Sequence, residues 1–387
     1  MALKVLVNVI RNDLTALKSP CRTGVIRLGL FRILWGRTYV GQRTNHEAKT
    51  ENVLLMQNFE AMGLDITKIR KRCPTLFKNT TTTHEAKLKE FLLEKGADMA
   101  TVASIISRYP RAVTTFPKDL SEIWDIWESI LKKDCSVLKL VTRSPESFFR
   151  SGGIEKLTGN ISYFQSIGLP PKLLSQLMAK APRTFSNSIK LNKQMVDFLH
   201  GLSISLGEEE PEKCTIQIIT SNIFIFNISI KRVKANLESI RSLMKLEDKE
   251  LLSWIQSDGA LILGLCNSYV ERNFVNAQKI MQSLGCAETD VTQFIVENSF
   301  VLLLSPKTFA CKVNLLMECG IEATQILDTP LVLNVSQATL KNKIELLRKC
   351  GYDFKNNTLG VLLCYRARFD SIVQRLSSST DQTTKHS

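Results

Sequence analysis

The chain has 387 residues, an apolar fraction of 44% and a formal net charge of +14. That is ample material for a core, with an excess of cation that favours an acidic polymer or surface as partner. Ten cysteines without a CxxC pair and only four histidines argue against a zinc site and against a disulfide framework, so the cysteines read as reduced, small apolar residues.

Residues 1–46 hold eight Lys/Arg and one acid, Asp13, with Leu, Val and Ile interspersed as in LKVLVNVIRNDLTALK. This basic, amphipathic, acid-poor composition is that of an organelle transit peptide. A secretory signal would place one charged end before a longer apolar run. The other reading is a basic arm kept on the mature protein. Without 1–46 the net charge is still +7, so import accounts for only half of the excess. No later segment has the length and purity of a membrane span.

Residues 91–113, FLLEKGADMATVASIISRYPRAV, predict a short helix, a Gly–Ala break, a second helix and a proline stop. Val102, Ile105, Ile106 and Tyr109 fall at i, i+3, i+4 and i+7, the apolar stripe of an amphipathic helix. Gly96 can take the left-handed conformation that ends the first helix. Pro110 lacks an N–H and restricts Tyr109, so the second helix ends there. The pattern recurs with stops at Pro74, Pro110, Pro145, Pro182, Ile223, Asp258, Ser299 and Pro330. Self-similarity at a period in the thirties predicts an all-α helical-repeat solenoid, because one two-helix unit cannot bury its apolar face alone. An ordinary bundle with chance proline spacing is the plainer alternative. The Ser/Thr-rich segment 377–387 reads as a disordered polar tail.

The remaining cations are placed unevenly. Arg72, Arg108, Arg143 and Lys180 each stand two residues before a stop proline, and Arg111 and Arg183 directly after one. Equivalent positions of stacked repeats line up along one edge, so these residues would form a basic stripe able to follow a phosphate backbone. Alternatively each cation complements the dipole of the helix it ends. Trp124 and Trp127 read as core, and Phe148 and Phe149 as packed between repeats.

Nothing resembles an active site. A Gly-rich phosphate loop, GxSxG and HExxH are all missing; His84 and His200 lack neighbours at ligand or triad spacing, and Glu146 reads as a surface charge. A binding protein without catalysis, cofactor or metal is expected.

The strings ASIISRYPRAVT, RSPESFFRS, APRTFSNS, LNKQMV and KRVKAN carry a resemblance to the mitochondrial transcription termination factor (mTERF) family, from about Glu51 to about Leu376. The resemblance implies a left-handed superhelix of two-helix repeats, each with a short extra helical turn, curved around double-stranded mitochondrial DNA in the matrix nucleoid. It implies a monomer that binds within the tRNA-Leu(UUR) gene, just beyond the ribosomal RNA genes, and halts the transcription machinery there. It also implies a bent, partly unwound site with bases turned out of the stack. The groups that hold those bases match Arg143 in VTRSPESF, Phe224 in SNIFIF and Tyr269 in LCNSYVERN. The base-reading arginines match Arg150, Arg183, Arg232 and Arg368, while one expected arginine falls at Leu331 in TPLVL. Read alone, Phe224 in IFIF is core, Tyr269 a helix-surface residue and Arg143 a cap. Two other functions stay open: a family member that binds ribosomal RNA and helps assemble the mitochondrial ribosome, and a protein-binding scaffold. A single-sign basic edge argues against the scaffold, but charge alone does not separate duplex DNA from structured RNA.

Overall fold

The computed structural model describes residues 51–131, 137–150 and 153–383; the segment 1–46 read as a transit peptide lies outside them. Helices and turns make up the described chain, apart from an isolated bridge between Glu51 and Lys78. No described helix is long and apolar enough to cross a membrane. The described residues divide into two compact units, the first comprising 51–204 and 210–229, the second 205–209 and 230–383.

The repeat around Pro110 shows how the pattern folds. The first helix, Glu85–Glu94, closes at Gly96, whose φ of +87° is the left-handed turn expected there. The Asp98 side chain then accepts the Thr101 N–H at 2.7 Å and opens the second helix, Met99–Arg108, satisfying one of the orphan donors of its first turn. Val102, Ile105 and Ile106 are buried. Pro110 ends that helix and also begins a third element, the 3-10 helix Pro110–Thr114, because its fixed φ suits a first helical position where no N–H is needed. The other stops do the same. Pro182, Asp258, Ser299 and Pro330 open 3-10 helices, Pro145 opens the short α-helix Pro145–Phe149, and Pro74 and Ile223 open turns.

A ninth copy escaped the sequence reading. Its first helix is Gln337–Lys349 and its third element Gly360–Leu363. A loop replaces the second helix: Asp353 Oδ1 accepts the Lys355 N–H at 2.9 Å and the Tyr352 hydroxyl donates to Thr358 O at 3.0 Å. Polar side chains that bond their own backbone compete with helix formation. The closing helix Arg366–Thr383 runs through Ser377, where the polar tail was expected to begin. Ser377 and Ser378 donate to the carbonyls of Val373 and Gln374, so their hydroxyls are accommodated within the helix.

In the first unit, Trp124 and Trp127 are buried as expected, and Trp127 meets Phe185 of the following repeat edge to face. Phe148 packs against Trp124, while Phe149 is half-buried and stacks on Tyr109 at 6.2 Å. The Trp127–Phe185 and Tyr109–Phe149 contacts cross repeats and supply burial that one helix pair lacks, whereas Phe148 and Trp124 belong to the same repeat. Cys73, Cys266, Cys286, Cys311, Cys319, Cys350 and Cys364 are free thiols.

Five of the third elements are tied down by a polar side chain that the apolar pattern did not mark. The seventh residue of the first helix supplies it in five repeats. Asn160 donates to Asn187 O at 3.1 Å, Asn236 to Leu263 O and Leu265 O at 2.6 and 2.8 Å, and Asn273 to Leu302 O at 2.9 Å. Lys312 and Lys343 take the role in the last two, donating to Leu333 O at 2.6 Å and Leu362 O at 2.8 Å. Buried carbonyls need such partners.

Candidate nucleic-acid interface

Two positions of the repeat carry most candidates: the end of the second helix, two residues before the stop, and the second residue of the third element. In the first unit the third elements of successive repeats are joined. Ser186 Oγ donates to Ser147 O at 3.1 Å and Asn187 Nδ2 to Phe226 O at 3.0 Å. Equivalent residues therefore do line up along an edge within this unit.

The helix-end row is Arg72, Arg108, Arg143 and Lys180, the three arginines exposed and the lysine half-exposed. Each arginine reaches forward by one repeat. Arg72 Nη1 donates to Ser107 O at 2.5 Å. Arg108 donates through Nη1 to Thr142 O and through Nη2 to Arg143 O, the latter at 2.6 Å. Arg143 Nη2 donates to Ala179 O. The acceptors are orphan carbonyls of the last turn of the next second helix. The dipole complementarity considered from sequence is thus present but directed at the neighbouring helix. A guanidinium has five N–H donors, so one or two bonds to carbonyls leave others for an external anion.

The row of third elements follows. Arg111 is exposed, with its guanidinium beside Cys73 of the preceding repeat. Arg183 is exposed on Pro182–Ser186. Phe224 is 39% exposed, between Ile223 at 8% and Ile225 at 0%. The core assignment that IFIF suggests holds for its other three members only. Asn222 Oδ1 accepts the Phe224 N–H at 3.1 Å, setting a tight turn in which Phe224 faces outward. Leu331 is 49% exposed on Pro330–Asn334, in the open position an arginine would need. Glu146 fills the equivalent place in Pro145–Phe149 and pairs with Arg150 at 2.6 Å. Both side chains are more than half exposed, so the pair costs little to exchange for another anion.

In the second unit, Arg232 is exposed on Ile230–Met244 and its cation acts on Cys266. The Ser268 hydroxyl, 3.1 Å away, holds the exposed Cys266 thiol below its ordinary pKa, helped by the N–H groups of Ser268 and Tyr269 and by Arg232. Tyr269 is half-buried; its hydroxyl donates to Leu303 O at 3.0 Å and the Arg272 guanidinium lies 5.3 Å from its ring centre. The ring therefore already carries a cation on one face. Arg368 is exposed on the last helix, beside the buried Phe369. Arg232 and the Tyr269 backbone N–H thus both act on the Cys266 thiol, while the Tyr269 ring is directed to Leu303.

The helix-end row changes sign between the units, being Gln256, Glu297 and Asp328 in the second. Residues 51–204 hold 22 Lys/Arg and 15 Asp/Glu, while 258–330 hold four and eight. A groove of about 910 Å³ between the helices Asp248–Gln256 and Glu288–Glu297 has a lining of both signs, Lys245 and Lys249 with Glu250, Glu288 and Glu297. His200 meets Glu212 at 3.1 Å on the surface, a neighbour that sequence spacing did not suggest. No group of three metal-ligating side chains occurs among the described residues.

A family model described as mTERF matches residues 56–370. The Rattus norvegicus protein named "Transcription termination factor 1, mitochondrial" is 43% identical over 327 residues, 84% of this chain and 87% of that one. The Homo sapiens protein of the same name is 45% identical over 284 residues, 73% and 71% of the two chains. A Homo sapiens protein named "Transcription termination factor 2, mitochondrial" is 27% identical over 293 residues, 75% and 74%.

Proposed function

The chain belongs to the mTERF family, and on that premise we propose that it terminates transcription in mitochondria by binding duplex DNA and holding bases out of the stack. The observation that carries the reading is the outward Phe224. Burying a phenylalanine is worth about 1.5–3 kcal/mol, yet in IFIF this ring alone stays exposed. It does so at the repeat position that elsewhere presents Arg111 and Arg183. An aromatic face aligned with cations suits a nucleic acid, which offers phosphates and unstacked bases together.

The chemistry divides by residue. Arg72, Arg108, Arg111 and Lys180 neutralise phosphates, giving sequence-independent, salt-dependent affinity. Arg150, Arg183, Arg232 and Arg368 read base edges, since an arginine fork matches guanine in the major groove. Arg143, Phe224 and Tyr269 stack on turned-out bases and offset an unstacking cost of a few kcal/mol. The site falls within the tRNA-Leu(UUR) gene, the protein acts as a monomer in the matrix nucleoid, and residues 1–46 direct import. No step requires a cofactor or a covalent intermediate.

Termination by purified mitochondrial polymerase, paired with 2-aminopurine at each candidate base, tests this. The parent protein should stop the polymerase and brighten the probe, which is quenched when stacked. The triple variant Arg143→Ala, Phe224→Ala, Tyr269→Ala should stay folded, keep non-specific affinity and let the polymerase read through. A variant that terminates like the parent, with a probe that never brightens, rejects base capture. A preference for ribosomal RNA over the duplex in direct competition rejects the DNA assignment.

A further inference from the structure

The three arginines of the helix-end row form a relay. Arg72 holds the carbonyl of Ser107, Arg108 those of Thr142 and Arg143, and Arg143 that of Ala179. Four consecutive repeats of the first unit are linked in this way, each through the last turn of its second helix. Parallel charge display does not require such bonds. A cation serving phosphate alone would extend into solvent, and Lys180 makes no equivalent bond among the described residues.

We propose that Arg108 is a positioning residue for Arg143, and that Arg72 supports it one repeat earlier. This rests on the reading that Arg143 stacks on a turned-out base. Arg143 ends a helix of only seven residues, Val137–Arg143, whose last carbonyls have no intrahelical donors. Arg108 closes two of them with a single planar fork and so fixes the Cα from which the Arg143 side chain starts. The far end of that side chain is fixed by Ala179 O. A guanidinium held through one nitrogen keeps both faces open while its reach is set, which suits stacking on a base. An arginine tethered at both ends has lost its rotamer freedom before DNA arrives, and this favours capture. Lysine at this position would keep the charge but not the rigid planar fork, so it would hold the two carbonyls less firmly than Arg108 does. As a counter-charge for phosphate it would serve equally well.

The difference supplies the test. Full-length parent, Arg108→Lys and Arg143→Lys proteins are bound to duplex carrying 2-aminopurine at the candidate bases, with fluorescence, dissociation rate and thermal melting recorded for each. The relay requires Arg108→Lys to resemble Arg143→Lys: weaker brightening at the same base and dissociation several-fold faster, although no charge has been removed. Brightening and dissociation equal to the parent overturn the proposal, as does a lower melting temperature with unchanged brightening, which would make Arg108 merely structural. A parent protein that brightens no probe rejects base capture itself, a separate failure. If Arg108→Lys does not fold, Arg72→Lys decides the matter. It leaves both Arg108 bonds in place, so the relay demands a smaller loss at the same probe, and no loss overturns it.

Discussion

The two units use one repeat plan and present different surfaces. In the first, helix ends carry Arg72, Arg108, Arg143 and Lys180, and the adjoining row exposes Arg111, Arg183 and Phe224. In the second the same helix ends carry Gln256, Glu297 and Asp328, and the adjoining row turns inward at Gly259 and Phe300. Gly259 lies beneath Trp254: a Cβ there would stand 2.3 Å from a ring carbon, so no side chain fits. The buried apolar positions and the third-element clamps persist in both units, while the edge residues are free to change sign. A solenoid permits this because its stability is distributed over repeats and its edge residues are not needed for the core.

The largest expected effect separates the two edges in binding. Replacing Arg111 and Lys180, the two cations of this edge outside the arginine relay, by Ala should weaken every duplex alike and lower the log–log salt slope by about one unit per lost contact. Replacing Gln256, Glu297 and Asp328 should leave the slope unchanged. Titrations from low to moderate salt read both, and equal slopes in the two sets would erase the distinction.

The shared clamp should matter in either unit. Asn236→Ala strips one buried and one part-buried carbonyl of their donor, a loss of about 1–3 kcal/mol, measurable by urea denaturation. A change within a few tenths would show that water replaces the amide and that the clamp is incidental.

Leu331 allows a gain to be tested. Leu331→Arg adds a cation at an exposed third-element position of the second unit. If that row reads bases there too, one base pair of the site should become more stringent by about 1–3 kcal/mol, visible by selection from randomised duplexes. A uniform rise in affinity without new selectivity would mean that the position meets only phosphate.

The smallest effect is conformational. Lys245 holds a φ of +55° where the other described repeats place glycines such as Gly96 and Gly285. Side chains raise the energy of that region, so Lys245→Gly should raise stability by a few tenths to about 1 kcal/mol. A loss on thermal melting would show that the lysine side chain contributes more than its backbone costs.

Residues with local consequences were legible from the chain alone. Pro110, Gly96 and the stripe Val102–Ile105–Ile106 mark a helix, its reversal and its buried face within a few positions of themselves. The eight stops consequently landed on real boundaries, including the degenerate ones at Ile223 and Asp258, and Trp124 and Trp127 were assignable as core. The ninth copy was missed because Asp353 and its neighbours bond locally and leave no helical stripe. Where a polar side chain finds its partner was decided by the tertiary structure. Arg72, Arg108 and Arg143 take acceptors 34 to 36 positions away, and Asn236 takes acceptors 27 and 29 away. Those distances are set by how one repeat stacks on the next, which no local rule states. Phe224 belongs with them: its sequence neighbours argue for burial, and only the turn set by Asn222 places its ring outside.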